Sequence, residues 1–113
     1  MSQRAQFLAY LQHYEAKRLD AIDAMLAEGV TLRDWNLSVQ GRAAVLAETR
    51  KNFENAQSLS IEVLRVYESP GSVAGELRIV VDGSIELFVV DVIDFDGDGR
   101  IRAIRAFLGR GDG

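Results

Sequence analysis

The stretch Asp94–Arg105, DFDGDGRIRAIR, is spelled like a calcium loop. Asp94, Asp96 and Asp98 stand at the first, third and fifth positions of the EF-hand pattern, with Gly99 at the sixth and Ile101 at the eighth. A true loop of that kind lies between two helices and closes with a bidentate Glu at position twelve. Position twelve here is Arg105, a cation, and the segment running into the loop, ELFVVDVIDF, is β-branched and alternates in polarity. The stretch therefore reads as a turn between two strands. Gly97 and Gly99 can supply the positive φ that a tight loop needs, and aspartates suit turns. That choice makes the second half of the chain a sheet.

Working outward, strands are predicted over Ile85–Phe95 and Ile101–Leu108. Asp82-Gly83 signals a two-residue hairpin before them, and Val73, Leu77, Ile79 and Val81 alternate on the strand that enters it. Ser69-Pro70-Gly71-Ser72 marks the preceding turn, and Leu59, Ile61 and Val63 alternate ahead of that. Before Asn55 the period is helical. Phe7, Tyr10, Leu11 and Tyr14 share one face of a first helix that Ser2 can cap. Leu19, Ile22, Met25 and Leu26 mark a second helix ending near Gly29, followed by a short strand from Val30 to Trp35. Gly41 opens a third helix with Val45, Leu46, Thr49 and Phe53 on one side. The order predicts an α+β domain spanning 1–113, with three N-terminal helices on one face of a curved antiparallel sheet. Such a sheet wraps round its helices and can leave a cone-shaped cavity for a small ligand.

Composition narrows the chemistry. The chain has 113 residues, a net charge of -4 and no cysteine, so disulfide and thiolate chemistry are excluded. Absence of cysteine suits a reducing compartment, and the N-terminal stretch lacks the unbroken apolar run of a signal peptide; a cytoplasmic location is expected. No apolar run approaches the ~20 residues needed to span a bilayer. Arg100, Arg102 and Arg105 form the one basic cluster, and lying beside three aspartates they read as counter-charges, so no nucleic-acid partner is expected. His13 is the single histidine, which leaves little support for a metal site or a Ser-His-Asp triad; it reads as a surface residue.

Three residues draw notice as chemistry. Asp91 shares its strand face with Ile85, Leu87, Val89, Ile93 and Phe95, so a carboxyl projects from an otherwise apolar surface. Unpaired there, it would be pushed toward its neutral form and could donate a hydrogen bond. Alternatively it pairs with Arg78 or Arg105, or its face meets water or a partner chain. Asp34 follows Val30 and Leu32 on one side of the short strand, which places it near a cavity rim, although the residues alone favour a cap or turn aspartate before the loop NLSVQ at 36–40. Tyr10 lies on the apolar stripe of the first helix, as a core tyrosine does. Two acids and a phenol meeting in an apolar hollow suit proton abstraction beside a carbonyl.

The chain resembles the ketosteroid isomerase branch of the NTF2-like, or SnoaL-like, superfamily. The resemblance covers nearly the whole sequence and is clearest in AYLQHYEAKRLDAIDAMLAEGVTLRDW, in QGRAAV and in FVVDVIDFDGDGRIRAIRAF. It implies an oxyanion tyrosine at Tyr10, a general base at Asp34 and a protonated oxyanion-hole acid at Asp91; a carboxylic acid kept neutral in this enzyme is an established example rather than a deduction. It implies no cofactor and no metal and an apolar small-molecule substrate; Val90 and Val92 on the other face of their strand suit a homodimer. Trp35 stands where the family base is followed by proline, and Leu26 and Thr49 replace supporting tyrosines. Arg105-Ala106-Phe107 lacks the last-strand acid of related epoxide hydrolases and polyketide cyclases. A non-catalytic ligand-binding or dimerisation module is the alternative within the same fold.

Overall fold

Ser2 opens the first helix by accepting a hydrogen bond from the Ala5 amide (3.1 Å) in the computed structural model, which describes residues 2–109. Helix α1 (Gln3–Glu15) buries Phe7, Tyr10 and Leu11, the i, i+3, i+4 stripe of an amphipathic helix. Lys17, at φ +58°, turns the chain, and its ammonium donates to the Ala56 carbonyl at the end of the third helix. Helix α2 (Leu19–Met25) is shorter than its apolar spacing predicts, because Leu26 is already sheet. Strand β1 (Leu26–Arg33) buries Leu26 and Val30 completely. Pairing and burial of those two side chains outweigh the modest helix preference of Leu-Ala-Glu-Gly. A short β2 (Ser38–Gln40), which no periodicity announced, returns antiparallel along β1. Gly41 at φ +97° then starts α3 (Arg42–Asn55), whose buried face carries Val45, Thr49 and Phe53.

Strands β3 (Leu59–Ser69), β4 (Ser72–Val81), β5 (Ile85–Phe95) and β6 (Ile101–Leu108) form the expected meander. The six strands lie in the order β2-β1-β6-β5-β4-β3. One expectation changes: β1 joins β6 in parallel, so the sheet is mixed and not wholly antiparallel. Parallel neighbours need a long crossover, and everything from β2 to β5 supplies it. The β4–β5 loop keeps the positive φ values the Asp-Gly signal demands, at Asp82 (+54°) and Gly83 (+72°). It also includes Ser84, one residue beyond a two-residue turn, since Val81 pairs with Ile85. Asp82 is held there by accepting the amides of Gln57 and Ser58.

The calcium-like spelling is a turn between strands. Asp96 Oδ1 accepts the amides of Asp98 and Arg100, both at 2.9 Å, and Gly99 takes φ +79°. Register shifts between Val63 and Arg65, between Asp94 and Phe95, and along β1 bend the sheet around the helices. Its concave face meets α1 and α3, with Phe7, Leu77, Ile93 and Ile101 fully shielded from water. Phe7 lies against Gly75 so closely that a Cβ there would stand 2.6 Å from the ring. The glycine makes room for the aromatic.

Candidate active site

Strand β5 aims Asp91 at the concave face, as its period predicts. The residues directly across from it are Gly75 on β4 and Ala106 on β6, both too small to crowd the carboxyl. Phe7 covers Gly75 with hydrocarbon. The two arginines that could have neutralised Asp91 are engaged elsewhere. Arg78 meets Glu86 at 2.5 Å and Glu62 at 3.7 Å, and Arg105 makes two contacts with Asp94, at 2.9 and 3.2 Å. Among the described residues Asp91 has no hydrogen-bond partner at all. Desolvation alone raises its pKa from 3.8 to about 7, so the carboxyl is protonated over most of the acidic range.

Asp94, three residues later on the opposite face, has the contrary fate. Burial would raise its pKa, but hydrogen bonds from Ser72 and Arg105, with the charges of Arg105 and Arg102, outweigh that and lower it. One strand thus carries a paired carboxylate on one side and an unpaired carboxyl on the other.

The space in front of Asp91 is a cavity of about 330 Å³ between the sheet and helices α1 and α3. Tyr10 and Asp34 line the same cavity, so all three sequence-predicted residues converge on it. Its wall is largely aliphatic, with Leu32, Ile61, Ile79 and Val89 among the contributors. Tyr10 is 5% exposed. Among the described residues its hydroxyl makes no hydrogen bond. Burial, with the nearby Tyr14 and Asp91 adding, holds its pKa well above 10.0, so the phenol keeps its proton.

Asp34 follows directly on β1. Its Oδ1 accepts the amides of Asn36 (2.7 Å) and Leu37 (3.0 Å), so the rim and turn readings of this residue both hold. Fixing Oδ1 leaves Oδ2 without a partner among the described residues. The turn therefore holds the Asp34 carboxyl at the cavity's lining while leaving one oxygen available.

Sequence reasoning placed Tyr14 only on the apolar stripe. The structure puts it in the cavity wall, one turn beyond Tyr10, with ring centroids 6.0 Å apart. Its hydroxyl accepts a hydrogen bond from Asn52 Nδ2 at 2.9 Å. The i+4 spacing from Tyr10 was the signal that could have found it. Asn36, Asn52, Asn55 and the 44%-exposed Trp35 also line the cavity and give it a polar border. Thr49, at a position of a supporting tyrosine, donates to the Val45 carbonyl of its own helix, and Leu26 is core. His13, expected at the surface, is half-buried, and its Nδ1 has no partner among the described residues. No group of three or more His, Cys, Asp or Glu side chains among the described residues is arranged to hold a metal.

Neutral donors and a carboxylate sharing a largely aliphatic hollow can polarise a carbonyl and accept a proton from carbon beside it. Comparisons with known proteins bear on the family and the fold. The model of the SnoaL-like domain matches residues 7–104. The Steroid Delta-isomerase of Nocardioides simplex is 36% identical over 100 residues, covering 81% of this chain and 77% of that protein. A Kribbella flavida protein provisionally assigned as a ketosteroid isomerase superposes with a TM-score of 0.84 at 20% identity, over 98% of this chain and 80% of its own. SalBIII, an epoxide hydrolase/cyclase-like enzyme of pyran-ring formation in salinomycin, gives 0.82 at 23% identity, over 95% and 90%. At those identities the two structures establish the fold alone, the NTF2-like cone.

Proposed function

This chain belongs to the SnoaL-like domain family, and from that premise we propose that it is an isomerase shifting a double bond beside a carbonyl in an apolar small molecule. The substrate carbonyl oxygen sits between the Tyr10 hydroxyl and the protonated Asp91 carboxyl and accepts a hydrogen bond from each. Asp34 Oδ2 takes a proton from the carbon between the carbonyl and the double bond. The electron pair of that C–H bond moves toward the carbonyl oxygen, giving a dienolate that the two donors stabilise. Asp34 returns the proton to the far end of the former double bond, so the product is the conjugated ketone and the residue ends as it began. A donor preorganised in a site of low dielectric supplies roughly 3–4 kcal/mol to such a transition state.

The observation that carries this reading is the Asp91 carboxyl, which has neither a cation nor a hydrogen-bond partner among the described residues and faces the cavity that Tyr10 and Asp34 also line. The test is Asp34→Asn, assayed on a β,γ-unsaturated cyclic ketone by the absorbance of the conjugated product. Turnover should fall by at least about a hundredfold, with binding of a conjugated ketone retained. Turnover equal to that of the unaltered protein rules the assignment out.

A second proposal concerns assembly. The convex face of the sheet leaves Val90 and Val92 half-exposed beside Phe107, which is 54% exposed. A second copy of the chain stacked on that face would cover them. Sedimentation should give twice the chain mass, and Phe107→Glu should give the single mass.

A further inference from the structure

We propose that Tyr14, held by Asn52, forms a second hydrogen-bonding station in the cavity, and that the substrate carries a second oxygen, as carbonyl, hydroxyl or ether, about one ring's width from the reacting carbonyl. This deepens the isomerase reading and rests on the carbonyl lying at Tyr10 and Asp91.

Asn52 Nδ2 donates to the Tyr14 hydroxyl oxygen at 2.9 Å, so the phenol's own proton is free to point elsewhere. The ring is fixed as well. It meets Phe53 edge-on, centroids 5.0 Å apart at 73°, and stands 6.0 Å from the Tyr10 ring. Tyr14 lines the same cavity as Asp91 and Asp34. It stands one helical turn (about 5.4 Å) from Tyr10 along α1. A hydrogen bond received from Asn52 polarises the phenol and makes it a better donor.

A half-buried donor in the cavity wall is poorly served by a plain hydrocarbon ligand. Desolvating the phenol without a new acceptor opposes binding, whereas an oxygen placed opposite it restores the bond. The station is thus a filter for ligands oxygenated at two places.

The test uses two isosteric phenols of similar acidity, 4-methoxyphenol and 4-ethylphenol, titrated calorimetrically into the intact protein. With the phenol oxygen at Tyr10 and Asp91, the ether oxygen of the first falls where the second has a methylene. The unaltered protein should prefer 4-methoxyphenol by about three- to tenfold. Tyr14→Phe, which keeps the ring against Phe53, should abolish that preference, with 4-ethylphenol bound at least as tightly as by the unaltered protein because no phenol is left to desolvate. Asn52→Leu should reduce it. A preference that survives Tyr14→Phe, or is absent from the unaltered protein while Tyr10→Phe still weakens 4-ethylphenol, overturns the second station alone. Binding of both phenols indifferent to Tyr10→Phe overturns the isomerase geometry as well.

Discussion

Replacing Asp91 with Asn exchanges a titrating carboxyl for a neutral group of the same shape, and its effect on stability must depend on pH. In the folded chain the carboxyl titrates near pH 7, against 3.8 for an unperturbed aspartate. Below 3.8 both folded and unfolded chains hold the proton, and the group contributes no pH dependence. Between 3.8 and about 7 the folded chain keeps a proton that the unfolded chain has released, so stability falls as pH rises, by about 1.4 kcal/mol per unit. Above 7 the folded chain carries a desolvated charge with no partner among the described residues, and the deficit levels off at about 4 kcal/mol. Asn has no such loss. Tyr10 and Tyr14 titrate above 10.0 and the Asp94 carboxyl below 3.8, so the window between belongs to Asp91 among these four. Urea unfolding of both proteins at unit steps from pH 4 to pH 9 reads the difference. The Asn protein should match the unaltered one near pH 4 and exceed it progressively to pH 8. Parallel stability curves across the range would refute the desolvation argument, and with it the neutral donor.

Three further outcomes follow from contacts already described. Gly75→Ala drives a methyl to 2.6 Å from Phe7 Cζ, and overpacking of this kind should destabilise by about 1–3 kcal/mol in thermal melts while shifting the ring beside Asp91. Arg105→Gln strands the buried Asp94 carboxylate; the loss, about 3 kcal/mol at neutral pH before discounting for the half-exposed arginine, should shrink as pH falls through the lowered Asp94 pKa. Tyr10→Phe removes one carbonyl donor and should cut kcat more than a hundredfold with little change in KM.

Local periodicity disclosed the parts of this molecule that depend only on neighbours in sequence. A strand alternates with period two wherever it lies, so the limits Ile85–Phe95 and Ile101–Leu108 were readable, as was the apolar face that Asp91 shares. The end of α2 was not. Leu26 leaves the helix because Ile101, far along the chain, pairs with it, and nothing near residue 26 records that partner. The parallel β1–β6 pair and the short β2 were hidden for the same reason. Asp34 was ambiguous between rim and turn because it is both. Tyr14 looked like core because its distinguishing partner, Asn52, lies on a different helix.

The central claim is that a neutral carboxyl and a phenol together receive the charge that develops on a carbonyl oxygen. Phenols of graded acidity and equal size report on this directly, since a bound phenolate resembles the dienolate. Affinity measured at constant pH should climb steadily as the phenol becomes more acidic, and should lose that slope in Asp91→Asn and Tyr10→Phe. The same affinity for every phenol, strong acid or weak, would contradict the claim and leave a cavity that only binds.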